Sequence, residues 1–497
     1  MKAKKDGGFF ERIQGKIHPV AVDNYYGPKL LKSCDSLPYL VKVLKAHVVM
    51  LAERDIIPKK AAGQLLTALS EIGSHQLELD PTLEDLYINL ENYLVKQVGP
   101  ETSGFMPVAR SRNDVESTMW RIELREKLLR LAQSVLAVIT TINDRAEETK
   151  ESLMPGYTYG QQAQPVTMGH YLSGISAVLL RDVERIFDCI NRFNYCPLGA
   201  AALAGTSYPI DRGFTASLLG FAGVLEHTQD AVAAADYMLE ASGAAVICIN
   251  TLTRFAEDII RWCSNEVAFA SLPDSLIDSS SIMPQKRNPV IVATVRSYGR
   301  LIAGKFAGIC AASSVGFEAS RDVTVAFDDV LESVNLTYNM SQSMQVCIKE
   351  LSFDLEAMEQ ALKIGFSNTT EIADTLVKEG KIPFRTAHQV VGGAVAELHY
   401  QRKGPEDFTF DLLNDWCRKI TGSPLPVDKE RIELAFDFKV GVDRRNCIGG
   451  PAAAEVERMI EKQRNKARNL QETARQLLNK WETADIELRE RAGRLIG

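Results

Sequence analysis

The sequence predicts an all-α protein, and three features of its apolar pattern carry that expectation. After Asp114, read here as a helix cap, Leu124, Leu128, Leu131, Val135, Val138 and Ile142 fall three or four residues apart, with Arg121, Glu123, Arg125, Glu126 and Lys127 dispersed among them. No proline interrupts the chain between Pro209 and Pro273. A third run, 342–363, places Met344, Val346, Cys347, Leu351, Leu355 and Leu362 at nearly helical intervals. At least three long bundle helices follow. Helices of this length bury one apolar stripe and often leave another over, which subunit association would cover.

The elements divide into three regions. Residues 1–113 open with a charged arm, Met1–Gly8, that lacks the apolar core of a secretory signal and is expected to fray. Shorter helical patterns follow at 40–51 and 59–72, bounded by Pro58 and Pro81. Residues 114–364 hold the long helices. Within them the apolar stretches 198–204 and 241–250 fall short of the roughly 20 residues needed to cross hydrocarbon and read as buried helix. In 365–497, one helix spans 372–379 and ends near Gly380, Pro383 resets the chain, and 388–398 resumes the pattern. From Ala452 a charge-rich, proline-free stretch reads as an exposed or oligomer-edge helix.

Composition narrows the function classes. The 497 residues carry a net charge of -7 with no block of basic residues interleaved with aromatics, which gives a nucleic-acid or anionic-membrane partner no electrostatic support. Nine scattered cysteines without a Cys-x-x-Cys pair fit a reducing compartment, so a cytoplasmic location is expected. His18, His47, His75, His227 and His399 lack metal-ligand spacing, and His170 and His388 read as structural. With no glycine-rich nucleotide fingerprint, neither a metal nor a cofactor is expected.

The most specific local signal is the run from Asp278 to Pro289. It sets Ser279, Ser280 and Ser281 beside Lys286, Arg287 and Asn288 between prolines. Hydroxyls, backbone donors and fixed cations together suit a carboxylate, although composition alone equally allows an ordinary polar loop. The run resembles the signature loop of the fumarase, aspartase and argininosuccinate lyase superfamily, Gly-Ser-Ser-x-Met-Pro-x-Lys-x-Asn-Pro. It aligns without a gap on Ser279–Pro289 and lacks only the leading glycine. Ala109–Asp114, Met154–Thr158 with Gln161, Ala163, Gln164 and Pro165, and Pro197–Gly199 through Ala204 and Gly205 resemble the argininosuccinate lyase branch. So does the run from Asp374 to Gly392.

That resemblance implies a three-domain helical protomer, a homotetramer, and active sites drawn from three subunits. It implies removal of a proton beside a succinyl carboxylate, an aci-carboxylate intermediate, and release of fumarate. Ser281 matches the proton-abstracting base. Ser280, Met283, Lys286, Asn288, Arg112, Asn113, Thr158 and Gln161 match substrate-binding positions, with Arg110 bracing its loop. The departures bear on the substrate. Tyr159 stands where the branch has histidine, and Ala293 where a glutamate partners it. Pro107 and Val108 replace a histidine and a threonine, and Tyr87 another histidine. Tyr338 and Asn339 survive from a Tyr-Asn motif, but Ser343 and Val346 replace the glutamine and lysine used around arginine. Tyr159, Tyr338 and Tyr87 are therefore pocket candidates. The expected activity is a carbon–nitrogen lyase acting on an N-substituted aspartate or amine-succinate, of the ethylenediamine-disuccinate type. The alternatives are ordinary argininosuccinate cleavage and a non-catalytic homotetramer.

Overall fold

After a short helix at Gly27–Ser33 come three longer ones, α1 (Leu37–Glu53), α2 (Lys59–Glu71) and α3 (Leu86–Ser103), the first two of which coincide with the apolar patterns at 40–51 and 59–72. The computed structural model describes residues 17–72 and 77–497; the Met1–Gly8 arm and His75 lie outside the described residues. Val43, Leu44, Leu51, Leu65, Leu66 and Leu90 are fully enclosed and form the core of this layer.

The central bundle is built on α4 (Arg112–Glu148), a 37-residue helix. Its cap is Ser111, not Asp114. Ser111 holds the extended backbone of a cap, and Asp114, at the third helical position, returns a hydrogen bond to the Ser111 amide in a capping box. A hairpin follows, β1 (Leu153–Thr158) and β2 (Gln161–Thr167), then α5 (Met168–Phe193) and α6 (Asp236–Trp262). A short hairpin, β3 (Asp278–Ser279) with β4 (Arg287–Asn288), leads into α7 (Val290–Ala312) and α8 (Arg321–Glu350). Leu124, Leu131, Val138 and Ile142 of α4 pack with Leu179 and Ile186 of α5, Ile249 and Phe255 of α6, and Val330 and Met344 of α8. The protein is thus predominantly helical around a large bundle.

Two expected helices are interrupted. Residues 198–204 form a loop rather than buried helix: Gly199, Ala201 and Gly205 all have positive φ, and a Cβ on Gly199 would meet the Ile210 and Arg212 side chains at 2.7 Å. The run 342–363 breaks after Glu350, where Ser352–Phe353 pairs with Ala270–Ser271 and Asp354 caps a new helix, Leu355–Leu362.

Four further helices, α9 (Thr369–Lys378), α10 (Phe384–Tyr400), α11 (Phe410–Thr421) and α12 (Lys429–Phe436), enclose a separate core of Ile372, Leu376, Val390, Leu413 and Ile432. The last helix, α13 (Ala453–Ile496), does not join that core. Val456, Ile460, Ala474 and Trp481 lie in the bundle core, and Leu488 and Ala492 in the N-terminal one, so α13 ties those layers together along its buried side. No described helix is long and apolar enough to cross a membrane. Among the described residues, no group of three or more His, Cys, Asp or Glu side chains is arranged to hold a metal ion.

Candidate active site

The first group of motif residues gathers where α4 begins. Asp114 Oδ1 accepts from the Ser111 amide at 2.9 Å, and Oδ2 accepts from the Gly199 and Ala201 amides at 2.9 and 2.8 Å. One carboxylate therefore completes the capping box and folds the 197–205 loop against the helix start. Burial pushes this carboxyl up to about 6, against the pull of those three amides and of Arg110. Asn113 then reaches that loop, donating to the Ala202 carbonyl at 3.2 Å.

Arg112 Nη1 lies 3.1 Å from Glu84 Oε2 and 3.0 Å from Asp85 Oδ2. Asp85 in turn caps α3 through the Ile88 amide. Arg110 faces the interior, donating to the Met106 carbonyl and the Tyr87 hydroxyl at 3.0 and 2.6 Å. Tyr87 is buried, its hydroxyl donates to Glu91, and burial raises its pKa. Outside this layer a cleft of about 220 Å³ is bordered by Arg112, Asn113, Glu116, Trp120 and Arg321. A smaller recess behind it, about 60 Å³, is reached by Tyr87, Lys29 and Glu116.

The second group occupies the tip of the β1–β2 hairpin. Thr158 pairs with Gln161 across a two-residue turn of Tyr159 and Gly160, whose φ values of 52° and 73° are the left-handed pattern of a type I′ turn. Pro155 pairs with Pro165, two residues with no amide hydrogen to offer, and the register shifts just beyond them. A Cβ on Gly156 would stand 2.8 Å from the Gln164 carbonyl oxygen, so this position accepts only glycine without movement. Arg261 braces the tip, donating to the Gly160 carbonyl at 3.2 Å and lying 5.0 Å from the Tyr157 ring. Tyr159 itself is fully exposed.

The third group is the loop carried by β3 and β4. Asp278 pairs with Asn288 and Ser279 with Arg287, which closes 280–286 into a short excursion. Ser280 Oγ is used internally, accepting from the Ile282 and Met283 amides at 3.4 and 3.2 Å. Arg287 anchors the base, with Nη1 2.6 Å from Asp274 Oδ1 and Nη2 3.0 Å from the Leu272 carbonyl. Ser281, Met283 and Lys286 are left exposed. Among the described residues, no hydrogen bond or ion pair links this loop to the hairpin or to the start of α4. Tyr338 stands elsewhere, on α8, half-buried beneath Arg130 at 4.9 Å with its hydroxyl accepting from Gln342 at 3.0 Å. Among the described residues the motif groups are thus not joined by polar contacts within the chain, and each has polar side chains facing outward.

Comparison with known proteins gives the family of the chain. A family described as "Lyase" matches residues 28–304, and one described as "Argininosuccinate lyase C-terminal" matches 366–440. Argininosuccinate lyase 1 of Shouchella clausii is 36% identical over 428 residues, covering 85% of this chain and 86% of the relative. The argininosuccinate lyase of Methanococcoides burtonii is 35% identical over 438 residues, covering 87% and 88%. A crystal structure of EDDS lyase in complex with formate superposes with a TM-score of 0.87 at 27% identity over 97% of both chains. The chain belongs to the argininosuccinate lyase branch of the fumarase/aspartase superfamily.

Within this lyase branch the departures have distinct physical settings. Tyr159 occupies the turn position with positive φ, where any side chain is thrust outward from the hairpin. Ala293 sits in the first turn of α7, its amide donating to the Pro289 carbonyl at 3.0 Å, and offers no charge to a neighbour. Glu116, which also borders the cleft and was not singled out from the sequence, follows Arg112 by four positions and Asn113 by three. That spacing places it on the same helical face.

Proposed function

We propose that this protein acts on a nonstandard N-substituted aspartate or amine-succinate as a homotetramer, with each site completed by neighbouring subunits. The reaction class is elimination across a carbon–nitrogen bond with release of fumarate. The observation that carries the reading is the signature loop. Ser281 and Lys286 are presented to solvent on a closed excursion whose base is fixed by Arg287, so the reactive positions are free to meet a substrate.

In this reading Ser281 takes the proton from the carbon beside the succinyl carboxylate. Lys286, Asn288 and the Arg112–Asn113 pair stabilise the second charge that develops on that carboxylate, and the nitrogen leaves with the electron pair of the broken bond. Thr158 and Gln161 complete the hydrogen-bonding box, and Tyr159 shapes the pocket. The lack of polar contacts among the three groups within one chain supports assembly from several subunits. The apolar surface of α7, with Leu301 51% and Tyr298 36% exposed, supplies a face for it. The loss of the histidine–glutamate pair at Tyr159 and Ala293 favours an amine other than arginine. The identity of about one third to argininosuccinate lyases keeps argininosuccinate itself as the second reading.

The test is a panel of N-substituted aspartates, argininosuccinate included, followed by fumarate absorbance and mass spectrometry, with the reverse addition of amines to fumarate in parallel. Fumarate release from at least one substrate is expected, and Ser281→Ala should lower turnover by about 10³-fold or more while leaving oligomer mass unchanged. Folded protein inactive in both directions across broad amine and pH panels would overturn the reading, and near-normal turnover in Ser281→Ala would reject that residue as the base.

A further inference from the structure

The β1–β2 hairpin that carries Thr158 and Gln161 has a gap in its own ladder. Pro155 and Pro165 stand opposite each other, and neither has an amide hydrogen to give to the other's carbonyl. The register shifts between Pro155 and Tyr157, so two pairs, Tyr157 with Gln162 and Thr158 with Gln161, remain beyond the gap to hold the tip. So short a ribbon is marginal by itself. Side-chain hydrogen bonds from outside the ladder give it a direction. Arg261 donates to the Gly160 carbonyl at 3.2 Å, Gln162 Nε2 donates to the Ala361 carbonyl at 2.8 Å, and Arg445 Nη1 donates to the Pro165 carbonyl at 3.0 Å.

The Arg445 bond meets the hairpin at the residue where the ladder fails, and it ties the hairpin to the C-terminal helices. Arg445 lies just beyond the short helix Phe438–Asp443 and is partly buried. Its Nη2 lies 3.9 Å from Glu371 Oε2, while Arg444 Nη1 donates to Glu371 Oε1 at 3.0 Å. Glu371, in the first turn of α9, is buried, so one enclosed carboxylate faces two guanidinium groups. Asp374, nearly one turn along α9, adds negative charge within reach of Arg445. Among the described residues Arg445 Nη2 has no hydrogen-bond acceptor of its own, so the side chain is oriented by these charges and by the Pro165 carbonyl. The segment that carries it is fastened at its far end. The Gly449 carbonyl lies 3.0 Å from His170 Nε2 at the start of α5, and the Gly449 amide donates to Glu455 Oε1 at 2.6 Å. A planar guanidinium held in this way presents its donor in a fixed direction.

We propose that Arg445 is a positioning residue for the elimination: through the Pro165 carbonyl it sets the hairpin so that Thr158 and Gln161 are presented to the substrate, and Glu371 holds Arg445 for that purpose. The inference rests on the lyase reading above, which places Thr158 and Gln161 at the substrate. Arg445 acts through the hairpin backbone and needs no contact with the reacting atoms. Without it the hairpin still forms, because the pairs Leu153 with Thr167 and Met154 with Val166 and the Gln162–Ala361 bond remain. What is lost is the restraint on the tip, and a misplacement of about 1 Å transmitted from such a distance can lower turnover by about 10²-fold.

The test is a double-mutant cycle on the intact oligomer, read as kcat/KM for the N-substituted aspartate of the panel above that releases fumarate fastest. Arg445→Met should lower kcat/KM by about tenfold or more, and Arg445→Lys, which keeps a charged donor without the planar fork, should recover part of the loss. In a background of Thr158→Ala with Gln161→Ala, Arg445→Met should cost less than about twofold further, because the groups it positions are gone. Losses that multiply independently in the combined variant would show a merely structural residue and overturn the proposal. Hydrogen exchange followed by mass spectrometry needs no substrate. Peptides within 156–164 should exchange about tenfold faster in Arg445→Met than in the native protein, while those of α7 keep native rates. Unchanged exchange in the hairpin would also overturn the proposal. If the hairpin loosens as expected but the native protein forms no fumarate and adds no amine to it, the hold on the hairpin stands and the lyase reading falls. If the native protein turns over and the cycle shows no coupling, the reverse holds. Should Arg445→Met lose oligomer mass, Glu371→Gln, which removes the charge facing Arg445 and leaves the Pro165 bond in place, carries the same two readouts with smaller expected changes.

Discussion

Tyr159 shows how a single residue's backbone limits its chemistry. It occupies the first of two positive-φ positions in a hairpin turn, and its ring stands wholly outside the protomer. A side chain there faces solvent, and Ala293 provides no carboxylate to orient it. A tyrosine hydroxyl starts near pKa 10 and is weakly acidic at neutral pH, so shaping or hydrogen bonding is the stronger role. Tyr159→Phe, which preserves ring and turn while deleting the hydroxyl, should keep turnover within about threefold for leaving amines of both high and low basicity. Steady-state rates across an amine series measure this; a severe loss confined to poor leaving groups would establish general-acid assistance instead.

At the scale of elements, the hinge of the site is the junction between α4 and the 197–205 loop. Asp114 accepts three backbone amides there, from Ser111, Gly199 and Ala201. Asp114→Ala strands all three, and at about 1 to 3 kcal/mol for each buried donor left unsatisfied the destabilisation should reach several kcal/mol. Denaturant unfolding would measure it. Asp114→Asn keeps an acceptor and should lose less stability, while raising KM by releasing Asn113 from the Ala202 carbonyl. Equal stability of Asp114→Ala and the native protein would contradict this account. From the sequence Asp114 reads as the helix cap, a local role that Ser111 takes instead, whereas its bonds to Gly199 and Ala201 span 85 and 87 positions. The same limit explains the misreading of 198–204. An apolar run signals burial, but the demand for positive φ at Gly199 and Ala201 comes from a carboxylate elsewhere in the chain. Periodicity served better for α1, α2 and α4, whose stripes are set by their own 3.6-residue repeat.

For the whole molecule, the signature motifs were legible as chemistry but not as one site, since spacing in sequence does not report which groups meet in space. The long helices foretold a bundle with surface to spare, and α7 is where that surface lies. Only Val292, Val295, Gly299, Ile302 and Ile309 of its 23 residues are buried. Leu301 is 51% exposed, and added Cβ atoms on Gly304 and Gly308 would meet nothing within 4 Å, leaving a shallow, mostly apolar strip between them. A helix from another subunit can approach closely along such a strip, and burying the exposed half of each Leu301 would contribute roughly 1 kcal/mol per copy. Leu301→Glu combined with Gly304→Glu places two carboxylates on every copy of that face, where desolvating them costs more than the lost contacts. Light scattering should find the native protein at four times the chain mass and the double variant at a lower multiple. Fumarate-forming activity should fall with it, because Ser281, the 158–161 turn and the Arg112–Asn113 pair no longer meet. A variant that keeps both native mass and native activity would remove α7 from the interface and require the three groups to be joined by another face.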